Sequence, residues 1–378
     1  MSPTALIYRS ELLHPSETFI DAQAHALRRY TPIFAGLRRI HTGLEMDPEE
    51  VVTLTRSDNL RDKLHRRLFL NTGIGPNFLR HIAQHHPALI HAHFALDAAA
   101  ALPIQKQFGL PLIATLHGYD ATSTDDALSH TPAGRVFLRR REELFARAKF
   151  FICVSEHIRT EAIAHGFPAA KLRTLRIGVD VNLFSPDPMQ SRSRDPIVLF
   201  VGRLVEKKGV SHLLRAMRLV SGRFPTAKLL LVGDGPLIEH LRTEARSTVR
   251  NCTFLGPQPP SVVRDLMRRA WVLAAPSIIA HSGDSEGLPI VLCEAQAIGL
   301  PVAAFAGPGI NEAVIDGETA LLAPSGDEPA LAERIAAILA DPDLATRLGQ
   351  AGRKRALACF SLTRQTELLE QAYDEALQ

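Results

Sequence analysis

The residue types best suited to chemistry lie in one stretch of the second half of the chain, from His281 to Glu294. Glu286 and Glu294 flank a Gly-Leu-Pro sequence, and Pro289 marks the start of a helix there. Glu286 therefore falls in the loop before the helix, and Glu294 falls more than one turn inside it. A buried carboxylate needs hydrogen-bond donors, and the hydroxyls of a ribose would suit Glu294. The alternative is an ordinary surface glutamate on a helix.

A second group of chemically capable residues follows the strand-like segment 196–201. The chain reads Gly202-Arg203 at that point and reaches Lys208-Gly209 a few residues later. Gly202 allows a ligand to approach the backbone closely. Arg203 and Lys208 lie near the start of the next helix, an arrangement typical of a diphosphate site. A solvated basic loop explains the same residues equally well.

Histidines follow strand-like segments of the first half. Segment 111–116 ends in His117-Gly118-Tyr119-Asp120, which places His117 where a ligand would lie. His91-Ala92-His93 could bind a metal ion, but the sequence offers no third ligand at a suitable spacing. The first strand end lacks the Gly-x-Gly-x-x-Gly pattern of dinucleotide-binding enzymes, which argues against an NAD-dependent enzyme.

Short apolar segments alternate with helix-length segments along almost the whole chain, which predicts parallel sheets covered by helices. The strand-like segments are 4–8, 51–54, 88–92, 111–116, 149–154, 171–177, 196–202, 227–233, 252–255, 270–275, 301–305 and 319–323. The proline- and serine-rich segment 181–196 is the expected boundary between two α/β domains, 1–180 and 181–360. Ligands of such doubly wound sheets bind beyond the carboxyl ends of the strands.

Composition excludes several classes of protein. The chain has 378 residues, 46% of them hydrophobic, and a formal net charge of +3, values that argue against a disordered chain and against nucleic-acid binding. Its four scattered cysteines form no Cys-x-x-Cys pair, which is typical of a reduced, cytoplasmic protein. We expect no signal peptide, and the apolar stretch 271–280 is too short to span a membrane.

Taken together, these motifs resemble those of the retaining glycosyltransferases of family 4. That family has the GT-B architecture, in which two Rossmann-like, doubly wound α/β domains face a central cleft and the C-terminal helix, here 361–378, packs back onto the first domain. The start of the chain is most similar to bacterial exopolysaccharide enzymes of the colanic acid and amylovoran type. The elements that carry the resemblance are 15–20, 117–120, 177–180, 200–209, 286–294 and 299–317.

The resemblance implies a nucleotide-sugar donor, with UDP or GDP as its nucleotide, bound mainly by the second domain. Arg203 and Lys208 would hold the diphosphate and stabilise its charge as it leaves. Glu294 would bind the ribose, and Glu286 the donor sugar. The donor-binding residues implied in this way are Gly202, Arg203, Lys208, Glu286, Gly287, Leu288 and Glu294.

From the first domain, the resemblance implies that His117 approaches the donor sugar as a catalytic residue and that Asp120 supports its loop. Many relatives have a glycine-rich first loop that contacts the donor phosphate. Ser16, Glu17 and Thr18 occupy the corresponding region here and are the candidates for that support.

The reaction implied is hexosyl transfer with retained anomeric configuration, assisted on one face by the leaving diphosphate. We expect no cofactor and no metal, because two basic side chains replace a divalent ion. The sequence Asp341-Pro342-Asp343 is interpreted as a helix cap. The alternatives are a sugar-nucleotide epimerase or phosphorylase on the same fold, and a non-catalytic partner that binds nucleotide-sugar.

The acceptor is expected to be a glycan, carried on a polyprenyl diphosphate, in exopolysaccharide or cell-surface polysaccharide synthesis. Two basic clusters adjoin apolar residues, and this combination suits an anionic membrane, here the inner face of the plasma membrane. A solvated helix face is the alternative for both. The clusters are Arg61, Lys63, Arg66 and Arg67 beside 68–70, and Arg135, Arg139, Arg140 and Arg141 around 136–138.

Overall fold

The structure is a computed structural model that describes residues 2–40, 43–187, 189 and 192–378. The chain forms two compact units. Unit 1 comprises Met1–Gly178 together with Leu362–Gln378, and unit 2 comprises Val179–Ser361. The units therefore divide just ahead of the proline-rich segment 181–196, in which Pro188 lies outside the described residues.

Unit 1 contains a parallel sheet in the order β2-β3-β1-β5-β6-β7-β8, with β4 paired to β3. Its strands are β1 (Thr4–Tyr8), β2 (Glu11–Leu12), β3 (Thr31–Arg39), β4 (Val51–Thr55), β5 (Pro87–His93), β6 (Leu112–Leu116), β7 (Phe150–Cys153) and β8 (Leu172–Thr174). The strand order reverses direction between β1 and β5, which makes that position the switch point of the sheet.

Helices cover this sheet. They are α1 (Thr18–His25), α2 (Leu60–Thr72), α3 (Pro76–Gln84), α4 (Ala95–Phe108), α5 (Tyr119–Thr122), α6 (Asp125–Ser129), α7 (Pro132–Arg147) and α8 (Glu156–Ala164). The sequence pattern had not indicated β2 or β3. Within β3, Pro32 and Gly36 argue against a strand, but a Cβ at position 36 would lie 2.2 Å from the carbonyl oxygen of Arg9, so glycine is required there.

Unit 2 is a six-stranded parallel sheet in the order β11-β10-β9-β12-β13-β14, with its switch point between β9 and β12. The strands are β9 (Ile197–Val201), β10 (Lys228–Val232), β11 (Cys252–Gly256), β12 (Val272–Ala275), β13 (Val302–Phe305) and β14 (Leu321–Ala323). The helices are α9 (Val210–Arg223), α10 (Ile238–Thr248), α11 (Pro260–Arg269), α12 (Ile290–Ile298), α13 (Pro308–Ala313), α14 (Glu328–Ala340) and α15 (Pro342–Cys359). Asp341 caps α15, accepting from the amides of Asp343 and Leu344, so that interpretation is confirmed.

The last helix, α16 (Leu362–Leu377), belongs to unit 1 although all of unit 2 precedes it in the chain. Leu369 and Tyr373 are buried in the core of unit 1 beside its first strands. The carboxylate of Glu370 is also buried and accepts hydrogen bonds from the amides of Arg28 and Arg29 at 2.7 and 2.6 Å. The helix is thus an integral part of the unit 1 core.

Candidate active site

The switch point of unit 2 brings two chain segments together beyond the carboxyl ends of β9 and β12. The segment after β9 contains a short 3-10 turn, Glu206–Lys208, and the segment after β12 is the loop that leads to α12. The amide of Ile278 donates to the carbonyl of Lys207 at 2.8 Å. Three successive side chains of the turn bind that loop, in the pairs Glu206 with His281, Lys207 with Asp284, and Lys208 with Glu286.

The Lys208–Glu286 pair is the most enclosed of the three. Its Nζ and Oε1 atoms lie 2.6 Å apart, and the two side chains are 17% and 10% exposed. The hydroxyl of Ser277 also donates to Glu286, at 2.8 Å. Burial acts to raise the pKa of Glu286, but the charges of Lys208 and Lys207 outweigh it and the pKa lies below its ordinary value. Glu286 is therefore an ionised carboxylate held in a fixed position.

Glycines set how closely the backbone approaches this pair. A Cβ at Gly202 would lie 3.5 Å from Cε of Lys208, so the lysine stem rests against the bare backbone that follows β9. A Cβ at Gly309, in α13, would lie 2.3 Å from the carbonyl oxygens of both Glu286 and Gly287. Gly309 lies in the segment 299–317 that carries the family resemblance, but the sequence assigned it no role. It is the residue that permits α13 to pack on the Glu286 loop.

Two predicted site residues keep their polar groups available to a ligand. Arg203 is exposed, and Glu294 is partly exposed on α12. Within the ranges that the structure describes, neither side chain has a hydrogen-bond or ion-pair partner. Burial raises the pKa of the Glu294 carboxyl to about 7. A desolvated carboxylate without a protein donor is suited to accept hydrogen bonds from a ligand.

A cavity of about 260 Å³ adjoins Glu286. Its polar lining includes Ser277, Ser285 and Ser325, and Pro308 at the start of α13 contributes to its wall. Gly287 and Leu288, the other predicted sugar-binding residues, are buried directly after Glu286. The rest of the lining is mainly apolar and includes Ile278, Ile279 and Ile310, so the cavity places a few hydroxyl groups and one carboxylate against an otherwise apolar wall.

In unit 1, Asp120 organises the ends of two neighbouring strands. Its carboxylate accepts from the amides of His117 and Gly118, after β6, and from the amide of Ala95, after β5. The Nε2 atom of His117 lies 3.0 Å from Nδ1 of His93, a residue that sequence reasoning did not assign to the site. Burial, with a smaller contribution from Arg9, holds the pKa of His117 well below its ordinary value, so the ring is neutral at pH 7.

The switch point of unit 1 is occupied by an ionic cluster. Arg9, directly after β1, is buried and pairs with Asp97 in α4 and with Glu17 at 2.5 Å. Glu17 therefore supports Arg9, whereas Ser16 is exposed and Thr18 begins α1. Asp97 was missed in the sequence. The signal that indicates it is a single acidic residue in an alanine-rich helix, because burying an unpaired charge there would cost free energy.

The His-x-His pair of β5 is engaged in protein contacts. Nδ1 of His91 lies 2.7 Å from the Tyr373 hydroxyl, and its Nε2 lies 2.7 Å from the Thr115 hydroxyl. The described residues contain no group of three or more histidine, cysteine, aspartate and glutamate side chains that could hold a metal ion. Nor, in the same part of the chain, is any helix long and apolar enough to cross a membrane.

Comparison with known proteins agrees with this geometry. Residues 23–183 match the family model "Glycosyltransferase Family 4", and residues 184–355 match "Glycosyl transferases group 1". A GDP-mannose-dependent alpha-(1-6)-phosphatidylinositol monomannoside mannosyltransferase of Mycolicibacterium smegmatis is 32% identical over 290 residues, 74% of each chain. The chain belongs to the family 4 glycosyltransferases.

One further relative and two solved structures are also similar to this chain. A putative colanic acid biosynthesis glycosyltransferase of Escherichia coli is 32% identical over 65% of the chain, which spans 60% of that relative's length. Sucrose-phosphate synthase of Thermosynechococcus elongatus has a TM-score of 0.76 at 24% identity over 99% of both chains. The HepE protein of Anabaena, solved with UDP and glucose, has a TM-score of 0.76 at 19% identity over 99% of this chain and 100% of its own. These structures confirm the GT-B fold expected from the sequence.

Proposed function

We propose that this glycosyltransferase is a retaining hexosyltransferase that moves a sugar from a nucleotide-sugar donor to a glycan acceptor in exopolysaccharide or cell-surface polysaccharide synthesis. The observation that carries the proposal is the Lys208–Glu286 pair at the switch point of unit 2. A Rossmann-like sheet binds its ligand at that point. The pair places a cation and a carboxylate there, as a charged diphosphate and a hydroxyl-rich sugar require.

The donor site follows from the charges available in unit 2. Arg203, which is exposed and has no ion-pair partner in the described part of the chain, would bind the diphosphate together with Lys208. The carboxylate of Glu294 would accept hydrogen bonds from the ribose hydroxyls. Relatives support a nucleotide sugar with UDP or GDP, because the Anabaena protein was solved with UDP and glucose and the Mycolicibacterium relative is GDP-mannose-dependent.

In the proposed reaction, the bond between the anomeric carbon and the diphosphate oxygen breaks. The acceptor hydroxyl attacks from the same face and passes its proton to the departing diphosphate, so the configuration is retained. Lys208 and Arg203 stabilise the charge that develops on the diphosphate. They do this without a metal ion or cofactor. Glu286 orients the donor sugar. His117, a neutral imidazole in unit 1, is the candidate catalytic residue of that unit on the strength of the family resemblance.

The acceptor in this proposal is a glycan carried on a lipid diphosphate, used at the cytoplasmic face of the plasma membrane. The similarity to the putative colanic acid enzyme of Escherichia coli and to the amylovoran biosynthesis glycosyltransferase of Erwinia amylovora supports a role in polymer assembly. The mannosyltransferase of Mycolicibacterium has a phosphatidylinositol mannoside in its name, which supports a lipid-borne acceptor.

A panel of UDP- and GDP-sugars, first in a thermal-shift assay and then with lipid-linked oligosaccharides, tests the proposal. A nucleotide at 100 times its Kd should stabilise the protein by about 2.7 kcal/mol. The anomeric configuration of the product, determined by NMR, tests whether the enzyme is retaining. Full activity in the presence of EDTA tests whether it is independent of metal ions. Lys208→Ala and Glu286→Ala should each abolish transfer in a folded protein, and normal turnover in either variant would refute the site. Donor conversion without transfer would instead indicate an epimerase or phosphorylase, and binding without conversion a non-catalytic partner.

A further inference from the structure

One face of α2 in unit 1 exposes leucines on three successive turns. Leu60, Leu64 and Leu68 are 74%, 58% and 45% exposed, and Ile74, just beyond the end of the helix, is 57% exposed. Residues four apart in a helix lie on the same side, so the leucines form a continuous apolar stripe. Exposed leucines are ordinary when scattered, but aligned ones indicate an interaction surface. We call these three residues the leucine stripe.

The opposite side of α2 holds the helix in place. Phe69 is completely buried, in edge-to-face contact with Phe78 of α3. Arg66 donates to the Thr55 hydroxyl at 2.8 Å and to the Ser57 carbonyl at 2.9 Å. The side chain of Asn59 caps the start of the helix. Because these contacts fix the rotation of α2, the leucine stripe points outward permanently.

Cations border the leucine stripe on both sides. With about 100° per residue, Arg61 lies beyond one edge of the stripe and Arg67 beyond the other. Both side chains are exposed, and neither has an ion-pair partner among the described residues. Lys63 lies further round on the same side as Arg67 and pairs with Asp58 at 3.3 Å. Leucines flanked by arginines complement a lipid bilayer whose headgroups are anionic.

The second basic cluster, on α7, does not form such a surface. Val136 and Phe137 are buried in the core, so no comparable apolar stripe accompanies the arginines. Arg140 donates to the carbonyls of Ala99 and Leu70, and Arg141 pairs with Asp125 at 2.9 Å. These contacts distinguish two clusters that looked equivalent in the sequence.

We propose that α2 is a membrane-docking helix that lies flat on an anionic bilayer, with the leucine stripe between the acyl chains and Arg61 and Arg67 at the headgroups. The role of this docking helix rests on the proposed function, because a lipid-borne acceptor would lie in the same bilayer. The docking itself needs neither donor nor acceptor. It can therefore be tested separately from the catalytic proposal.

The test is flotation of the whole protein with vesicles of phosphatidylcholine containing 30% phosphatidylglycerol, compared with phosphatidylcholine alone. We expect binding that depends on the anionic lipid and falls at high salt. Replacing all three residues of the leucine stripe by glutamine, a good helix former, should weaken binding at least tenfold. Arg61→Glu with Arg67→Glu should weaken it by more than about 25-fold, since each lost cation accounts for about fivefold.

Two control variants match the exposure but not the location. Ile163→Gln changes an aliphatic residue that is 42% exposed on α8, and Arg246→Glu changes an exposed arginine on α10 of unit 2. Both should bind vesicles like the native protein. The thermal shift caused by UDP or GDP should be unchanged in every variant. A native protein that binds anionic vesicles but shows no shift with either nucleotide would count against the catalytic proposal alone. The docking proposal is overturned if the native protein does not bind anionic vesicles, if the controls lose binding equally, or if the leucine stripe instead mediates dimerisation without lipid.

Discussion

Replacing Lys208 by methionine should turn Glu286 from a stabilising group into a destabilising one. Methionine is one atom shorter than lysine and keeps the apolar stem, but it removes the charge that lies 2.6 Å from the carboxylate. Glu286 stays buried, and burial is the largest influence on its pKa. Lys207 and the Ser277 hydroxyl remain as partial compensation. We therefore predict that the pKa of Glu286 rises from below to above its ordinary value of 4.5.

The size of the expected stability loss follows from the burial of the Lys208–Glu286 pair. Breaking a buried ion pair by removing one partner costs about 3–5 kcal/mol, and the remaining partners favour the lower end, about 3 kcal/mol at pH 8. In the native protein, the lowered pKa contributes stability that is present above pH 4.5 and is lost as the pH falls through the folded-state pKa. In the variant, the raised pKa makes stability fall as the pH rises. The variant's penalty should therefore largely disappear near pH 5 while most of the native contribution remains, so the difference between the two proteins should be smaller at pH 5 than at pH 8 but should not vanish.

Urea unfolding between pH 5 and pH 8 measures this difference. Trp271 is the only tryptophan of the chain and lies in unit 2, so its fluorescence reports on that unit. At pH 8 the midpoint should fall by about 1–2 M. The double variant Lys208→Met with Glu286→Gln removes the buried charge and should recover most of the stability without recovering transfer activity. A loss that does not vary with pH, or no loss, would refute the reasoning.

Three further predictions concern other residues. Glu294, with its pKa of about 7, ionises between pH 6 and pH 8, so nucleotide affinity measured by calorimetry should rise about tenfold over that range. The affinity of the Glu294→Gln variant should not change with pH in this way. Gly309→Ala places a methyl group 2.3 Å from the Glu286 carbonyl oxygen, so kcat/KM should fall at least tenfold and stability by about 1–3 kcal/mol; unchanged kinetics would show that the loop is not held there. Tyr373→Phe leaves Nδ1 of the buried His91 without its hydroxyl partner, and urea unfolding followed by circular dichroism should show a loss of about 1–3 kcal/mol.

The central strands of unit 2, β9, β12 and β13, were predictable because they are buried on both faces, and continuous apolar runs such as Ile197–Val201 indicate that environment. The strand Thr31–Arg39 was not predictable, because Pro32 and Gly36 are local signals against a strand. Gly36 is explained only by the carbonyl of Arg9, which the fold brings to within 2.2 Å of where its Cβ would be. Local propensity does not contain that contact.

The residues of the candidate site also fall into a group that could be predicted from the sequence and a group that could not. Lys208 and Glu286 were recognisable because their motifs follow strands at the sheet edge where ligands bind. Their supporting residues were not, because Ser277 and Gly309 act through contacts that exist only after β12 and α13 are placed. Glu17 was assigned to phosphate support by its position in the sequence, whereas its carboxylate is bound to Arg9, a partner that only the folded unit supplies.

The position of α16 sets the order in which the two units are completed during synthesis. Every residue of unit 2 leaves the ribosome before Tyr373, which packs against the first strands of unit 1 and meets His91. Unit 2 can therefore finish folding as a continuous stretch of chain, while the core of unit 1 stays incomplete until α16 has been synthesised. Until α16 arrives, the apolar surface around Tyr30 that Tyr373 covers stays open, and exposed apolar surface of this kind favours aggregation.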